Sequence, residues 1–174
     1  MSMRTLYTIG HSTRPIDEFL TILKAFDIKQ LVDIRTIPKS RRNPQYGQEN
    51  LKESLENSGI RYIYNKGLGG LRPSVKTGGN EAWENASFRN YADYMQTDEF
   101  EEAVEELLDL SQEETTVIMC AEAVPWRCHR RLVGDAMLVR EVPVTDIFSE
   151  KKAEPHQLTP FASVDGLEVT YPKK

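Results

Sequence analysis

At 174 residues, with 39% hydrophobic and 28% charged side chains, the chain has the length and apolar content of one globular domain and not of a disordered protein. Two cysteines exclude a disulfide framework. No apolar run approaches the roughly 20 residues of a membrane-spanning helix, and the N-terminus lacks a signal-peptide pattern, so a cytoplasmic location without membrane attachment is expected. The net charge of −5 speaks against nucleic acid as a partner until its distribution is considered: nine acids and no Lys or Arg lie between Asp98 and Glu114, and setting those nine aside leaves +4.

In chain order, Leu6 to Ile9 reads as a first strand, ending at Gly10-His11-Ser12-Thr13, with Pro15 suited to the first turn of a helix. Ile16, Phe19, Leu20, Leu23 and Phe26 recur at helical spacing, and Leu31 to Ile34 forms the next strand. A basic loop, Lys39 to Tyr46, precedes a helix over Gln48 to Asn57, closed by Ser58-Gly59, and Ile60 to Tyr64 is the third strand. Residues 65–82 lose periodicity and hold five of the ten glycines, the pattern of a functional loop. A helix over Ser87 to Met95 follows, then an acidic amphipathic helix capped by Thr97. Thr115 to Cys120 is strongly β-forming, Pro125 marks a helix running to about Val139, and Val142 to Ile147 is the last central strand. In the tail, Val164-Asp165-Gly166-Leu167 suits a small hairpin. Alternating strands and helices predict an α/β fold: one three-layer domain over 1–150 with a mostly parallel sheet of about five strands. A short extension over 151–174 is packed on it or partly mobile.

Open α/β sheets bind ligands beyond the carboxyl ends of their strands. Here those ends carry His11 and Ser12, then Asp33 and Arg35, then Cys120 and Glu122, followed by Arg127, Cys128, His129, Arg130 and Arg131. Histidine, carboxylate and thiol together suit proton transfer and nucleophilic attack, which makes His11, Asp33, Cys120, Glu122 and His129 the candidate catalytic groups. Ser12, Arg35, Arg41, Arg42, Arg127 and Arg130 are the candidate phosphate contacts, and Tyr46 could stack on a base. Cys128 aligns with Leu132 and Ala136 and reads as a core residue.

Three sharper motifs fail. A phosphatase-type cysteine loop needs arginine six positions after the nucleophile, where Trp126 stands. The stretch from Gly70 to Thr77 departs from a phosphate-binding loop at Val75, where the second glycine belongs. Cys120, Cys128, His129 and His11 match no standard zinc spacing, so neither metal nor another cofactor is expected.

Thr8-Ile9-Gly10-His11-Ser12, Val32-Asp33-Ile34-Arg35 with Pro38, Ser40 to Gln45, Leu68-Gly69-Gly70, and Cys120 to Ala123 through Cys128-His129-Arg130 resemble a recognisable set. It is that of domain-of-unknown-function family 488, over roughly residues 5 to 150. The resemblance implies a compact α/β domain with these motifs near one another and implies no activity. From the residues, three functions compete: an enzyme acting on a nucleotide, nucleic acid or other phosphate-bearing substrate; a non-catalytic nucleic-acid-binding module using the basic loop; and a regulatory domain docked through the acidic helix. No oligomeric state follows from the sequence.

Overall fold

The structure, a computed structural model, describes residues 3–73 and 78–173. Val75, Lys76 and Thr77 of the failed phosphate-loop motif lie outside the described residues. The order of elements is β1 (Leu6–Gly10), α1 (Ile16–Ala25), β2 (Gln30–Asp33), α2 (Gln48–Asn57), β3 (Arg61–Tyr64), α3 (Ala86–Tyr94), α4 (Asp98–Glu113), β4 (Thr116–Cys120), α5 (Arg130–Leu138), β5 (Val144–Ser149), β6 (Lys152–Pro155), β7 (Ser163–Asp165) and β8 (Glu168–Thr170). The main sheet has six strands in the order β3-β2-β4-β1-β5-β6, one more than the sequence pattern predicts. Five are parallel, and the extra strand β6 adds antiparallel to β5 at the edge. Lys152–Pro155 has no apolar alternation to announce it, because it is an edge strand with mostly exposed side chains.

Alternate residues of the central strands feed two cores, as a sheet covered on both faces requires. Ile118 and Cys120 of β4 join one core with α3, α4 and α5; Val117 and Met119 join the other with α1 and α2. Local signals set the helix ends. Ile60 N–H bonds the Leu55 carbonyl and Gly59 N–H that of Glu56, with Gly59 at φ +78°, which closes α2 in a Schellman motif. Thr97 Oγ1 accepts from Phe100 N–H at the start of α4.

One boundary departs from expectation. Pro125 opens only a short 3-10 turn, Pro125–Arg127; Cys128 is extended, and α5 begins at Arg130. Arg127 therefore stands before the helix and not in its first turn. Arg130 N–H bonds the Cys128 sulfur (3.4 Å), so a side chain takes the place of a helical carbonyl.

The C-terminal segment is packed on the domain. His156 bridges Asp146 (Nδ1–Oδ2 2.9 Å) and Asp135 (Nε2–Oδ1 3.1 Å), while Thr159 and Tyr171 also donate to Asp135. Gly134 makes room for this imidazole, since a Cβ there would press on its ring. β7 and β8 form the hairpin expected at Gly166 (φ +63°). Among the described residues no helix is long and apolar enough to cross a membrane.

Candidate functional site

The strand order explains why three distant segments meet. β4 lies between β2 and β1, so the chain leaving each of these strands emerges at the same edge. Gly10 is in register with Cys120, and Asp33 with Met119. The ladder runs on past the strands: His11 N–H bonds the Cys120 carbonyl and Ser12 N–H that of Ala121, both at 2.9 Å. Gly10 is required here because a Cβ would overlap the Glu122 carbonyl. Ser12 then turns with φ +51°.

A cavity of about 250 Å³ opens at this edge. Arg35, Cys120, Glu122, Arg127 and His129 all line it, together with Thr36, Gly70, Phe88 and Cys128. His11 and Asp33 stand behind Arg35 and hold it. Asp33 accepts from Arg35 Nε (2.9 Å) and Nη2 (2.7 Å), both residues being buried, and from the part-buried Tyr62 Oη (2.6 Å). The His11 Nδ1–H donates to the Ser12 carbonyl (2.8 Å), which leaves Nε2 to accept from Arg35 Nη1 at 3.5 Å. Burial, with help from Arg35 and Arg14, lowers the His11 pKa to about 4 against the raising contact with Ser12, so this imidazole is neutral at pH 7. Three of the five guanidinium N–H groups of Arg35 are thereby fixed by protein, and two remain. His11 and Asp33, read from sequence as catalytic groups, are placed to position a cation.

Tyr46 is fully buried, stacked on the His11 ring (centroids 4.1 Å apart, planes 14° apart) and bonded to the Arg14 carbonyl. It is thus a wall behind His11 and not a platform for a base. Arg41 and Arg42 are exposed and do not line the cavity.

The opposite wall holds both thiols. Cys120 and Cys128 are buried, joined by no disulfide, and both line the cavity. Burial would raise the Cys120 pKa, but the Cys128 side chain, the Arg130 guanidinium and the Glu122 backbone together hold it below its ordinary value. Burial and the neighbouring Cys120 push Cys128 the other way, well above it. His129 Nε2–H donates to the Ile34 carbonyl at 3.0 Å, so its Nδ1 is an acceptor, 3.5 Å from the Cys128 sulfur. Burial lowers the His129 pKa to about 4 despite its backbone contacts, and the ring is neutral. Gly70 is packed against this ring so closely that a Cβ would displace it.

Arg130 is 1% exposed; among the described residues its Nη2 bonds the Ala123 carbonyl at 3.1 Å, while its Nε and Nη1 have no partner. A buried cation with two idle donors is expensive unless an anion faces it. Glu122 is exposed at the rim, as is Arg127. Among the described residues, no group of three or more His, Cys, Asp or Glu side chains is placed to hold a metal ion.

Sequence reasoning assigned Cys128 to the core, which it joins, and missed that it also faces the cavity beside Cys120. The adjacency of a second cysteine to His129 was the available signal. Thr36, whose Oγ1 accepts from Leu71 N–H at 2.7 Å, and Phe88 were missed too, because nothing local marks a residue that lines a cavity from the side.

No curated protein and no solved structure matches the chain. The model of one family, described as a domain of unknown function, DUF488, matches residues 15–137. That span carries both walls of the cavity, from Arg35 to His129, and the chain belongs to the DUF488 family.

Proposed function

We propose that the protein is an enzyme acting on a phosphate-bearing substrate, a nucleotide or nucleic acid, bound in the cavity at the ends of β2 and β4. The observation that carries this reading is Arg130: a buried guanidinium with Nε and Nη1 unpartnered, beside a thiol held below its ordinary pKa. Arg127 at the rim and the two spare donors of Arg35 add cationic recognition of an oxyanion. Cys120 is the candidate nucleophile, and the neutral His129 and exposed Glu122 are the groups available to move protons. The two free thiols suit a reducing compartment, and this reading places the protein in the cytoplasm.

A second reading rests on the loop after β2. Lys39, Arg41 and Arg42 are exposed and form no ion pair among the described residues, which suits a nucleic-acid-binding module. Calorimetry with inorganic phosphate, pyrophosphate, nucleoside triphosphates and a short single-stranded oligonucleotide separates the two. The enzyme reading expects Arg130→Met or Arg127→Ala to weaken binding about tenfold or more, and Cys120→Ala to abolish any turnover. If His11→Ala and Cys120→Ala leave every interaction unchanged while Arg41→Ala with Arg42→Ala abolishes it, the module reading replaces it.

A further inference from the structure

The chain contains two cysteines, and the fold brings both to one cavity. Cys120 ends the central strand β4 and Cys128 stands just before α5, yet both line the same cavity. A structural role alone accounts poorly for the company they keep. Buried thiols that only pack are surrounded by apolar groups, whereas the Cys128 sulfur contacts His129 Nδ1 (3.5 Å) and the backbone N–H of Arg130 (3.4 Å), whose guanidinium has two donors without partners among the described residues. The geometry also divides the roles. Cys120 is the thiol whose ionised form the Arg130 charge favours. The Cys128 sulfur accepts from Arg130 N–H (3.4 Å), lies 3.5 Å from the His129 Nδ1 acceptor, and keeps its proton. The cavity of about 250 Å³ gives room for a small oxidant.

We propose that Cys120 and Cys128 form a dithiol site that small hydroperoxides oxidise to an intramolecular disulfide. The Cys120 thiolate attacks the terminal oxygen of the hydroperoxide: an S–O bond forms, the O–O bond breaks, and the alkoxide leaves. Arg35 and Arg127 line the cavity and are the cations available to that departing anion, which then takes from solvent the proton that Cys120 had given up. The sulfur is oxidised to a sulfenic acid and the peroxide is reduced to an alcohol, or to water from hydrogen peroxide. Cys128 then attacks the Cys120 sulfur; an S–S bond forms, the S–O bond breaks, and the Cys128 proton departs with the hydroxyl as water. Two thiols and one hydroperoxide thus give one disulfide, one alcohol and one water. A small dithiol is the class of reductant that returns the pair to its starting state. None of this needs phosphate to bind, so a failure to bind phosphate leaves the inference standing.

The test uses the full chain, reduced and then exposed to an equimolar amount of hydrogen peroxide, with peptide mapping by mass spectrometry under non-reducing conditions. A Cys120–Cys128 cross-link within one chain, reversed by dithiothreitol, is the expected product. In Cys128→Ser the expected product is a sulfenic acid on Cys120, captured by a cyclic 1,3-dione, and in Cys120→Ser the Cys128 thiol is expected to survive the same dose. Arg130→Met is expected to slow Cys120 oxidation about tenfold, because the thiolate loses the charge that favours it. Because these variants can disturb packing, the unsubstituted chain supplies an independent measurement: alkylation by iodoacetamide at limiting reagent is expected at Cys120 before Cys128. The inference is overturned if both thiols of the unsubstituted chain survive the peroxide, if the cross-link joins two chains, or if Cys128 is the first to be alkylated.

Discussion

Replacing His156 by alanine tests the electrostatic attachment of the C-terminal segment. The imidazole sits between two carboxylates that are almost wholly out of solvent, Asp135 and Asp146. Burial would lower its pKa, but its hydrogen bonds and charge contacts with Asp135 and Asp146 outweigh that and raise it to about 9. Without the ring Asp135 keeps three donors, Thr159 N–H, Thr159 Oγ1 and Tyr171 Oη, whereas Asp146 keeps only Thr8 Oγ1. Breaking a buried ion pair by removing one partner costs about 3–5 kcal/mol, and that loss is expected near pH 7. The pH dependence has a definite sign. With the folded pKa above the unfolded 6.5, the stabilisation is complete below about pH 6.5 and disappears as the pH rises through about 9. At about 1.4 kcal/mol per pH unit, the difference between the two values corresponds to about 3 kcal/mol. Urea unfolding from about pH 6 to about pH 10 measures this. Trp83 fluorescence serves as the signal, because its ring packs on Phe161 and Tyr171 of the same C-terminal segment. The gap between the original chain and His156→Ala is expected to narrow as the pH rises. Parallel curves, or a loss below about 1 kcal/mol at neutral pH, would refute the reasoning.

Gly10→Ala places a methyl group on the Glu122 carbonyl, so β1 and the loop after β4 cannot both keep their places. A loss of about 1–3 kcal/mol is expected from overpacking, with an altered rate of Cys120 alkylation; an unchanged melting temperature and thiol reactivity would contradict it. Asp33→Asn leaves the Arg35 guanidinium buried without its carboxylate, and a fall of about 3 kcal/mol in urea stability is expected. Tyr62→Phe removes only the hydroxyl donor to Asp33 and should cost about 1 kcal/mol in the same assay, so equal losses in the two variants would count against an ion-pair role.

The central strands and most helices were legible because burial imposes a period: Phe19, Ile22 and Leu23 on α1, and the wholly buried run of β4. Polar residues at strand ends marked the right edge of the sheet. The register and strand order, which decide what touches what, were not local properties. Sequence alone could not put β4 between β2 and β1, and so could not tell that Asp33 is spent on Arg35 or that His11 is stacked on Tyr46. Tyr46 misled because its neighbours Arg41 and Arg42 are solvated while its own ring is drawn inward by Phe19 and His11. The bridge at His156 was missed for the same reason: its partners Asp135 and Asp146 lie on α5 and β5. One hint was available, since Asp135 interrupts the buried series Leu132, Val133, Ala136 and Met137.

The placement of β4 has a consequence for timescales. Paired on both sides and buried along its whole length, this strand releases its amides to exchange only in the largest openings of the molecule. Its last residue nevertheless faces a cavity whose other wall includes the exposed residues Ala121, Glu122 and Arg127. The backbone under Cys120 is therefore held for as long as the domain stays folded, while the residue itself borders a cavity that reagents can reach without any of those openings.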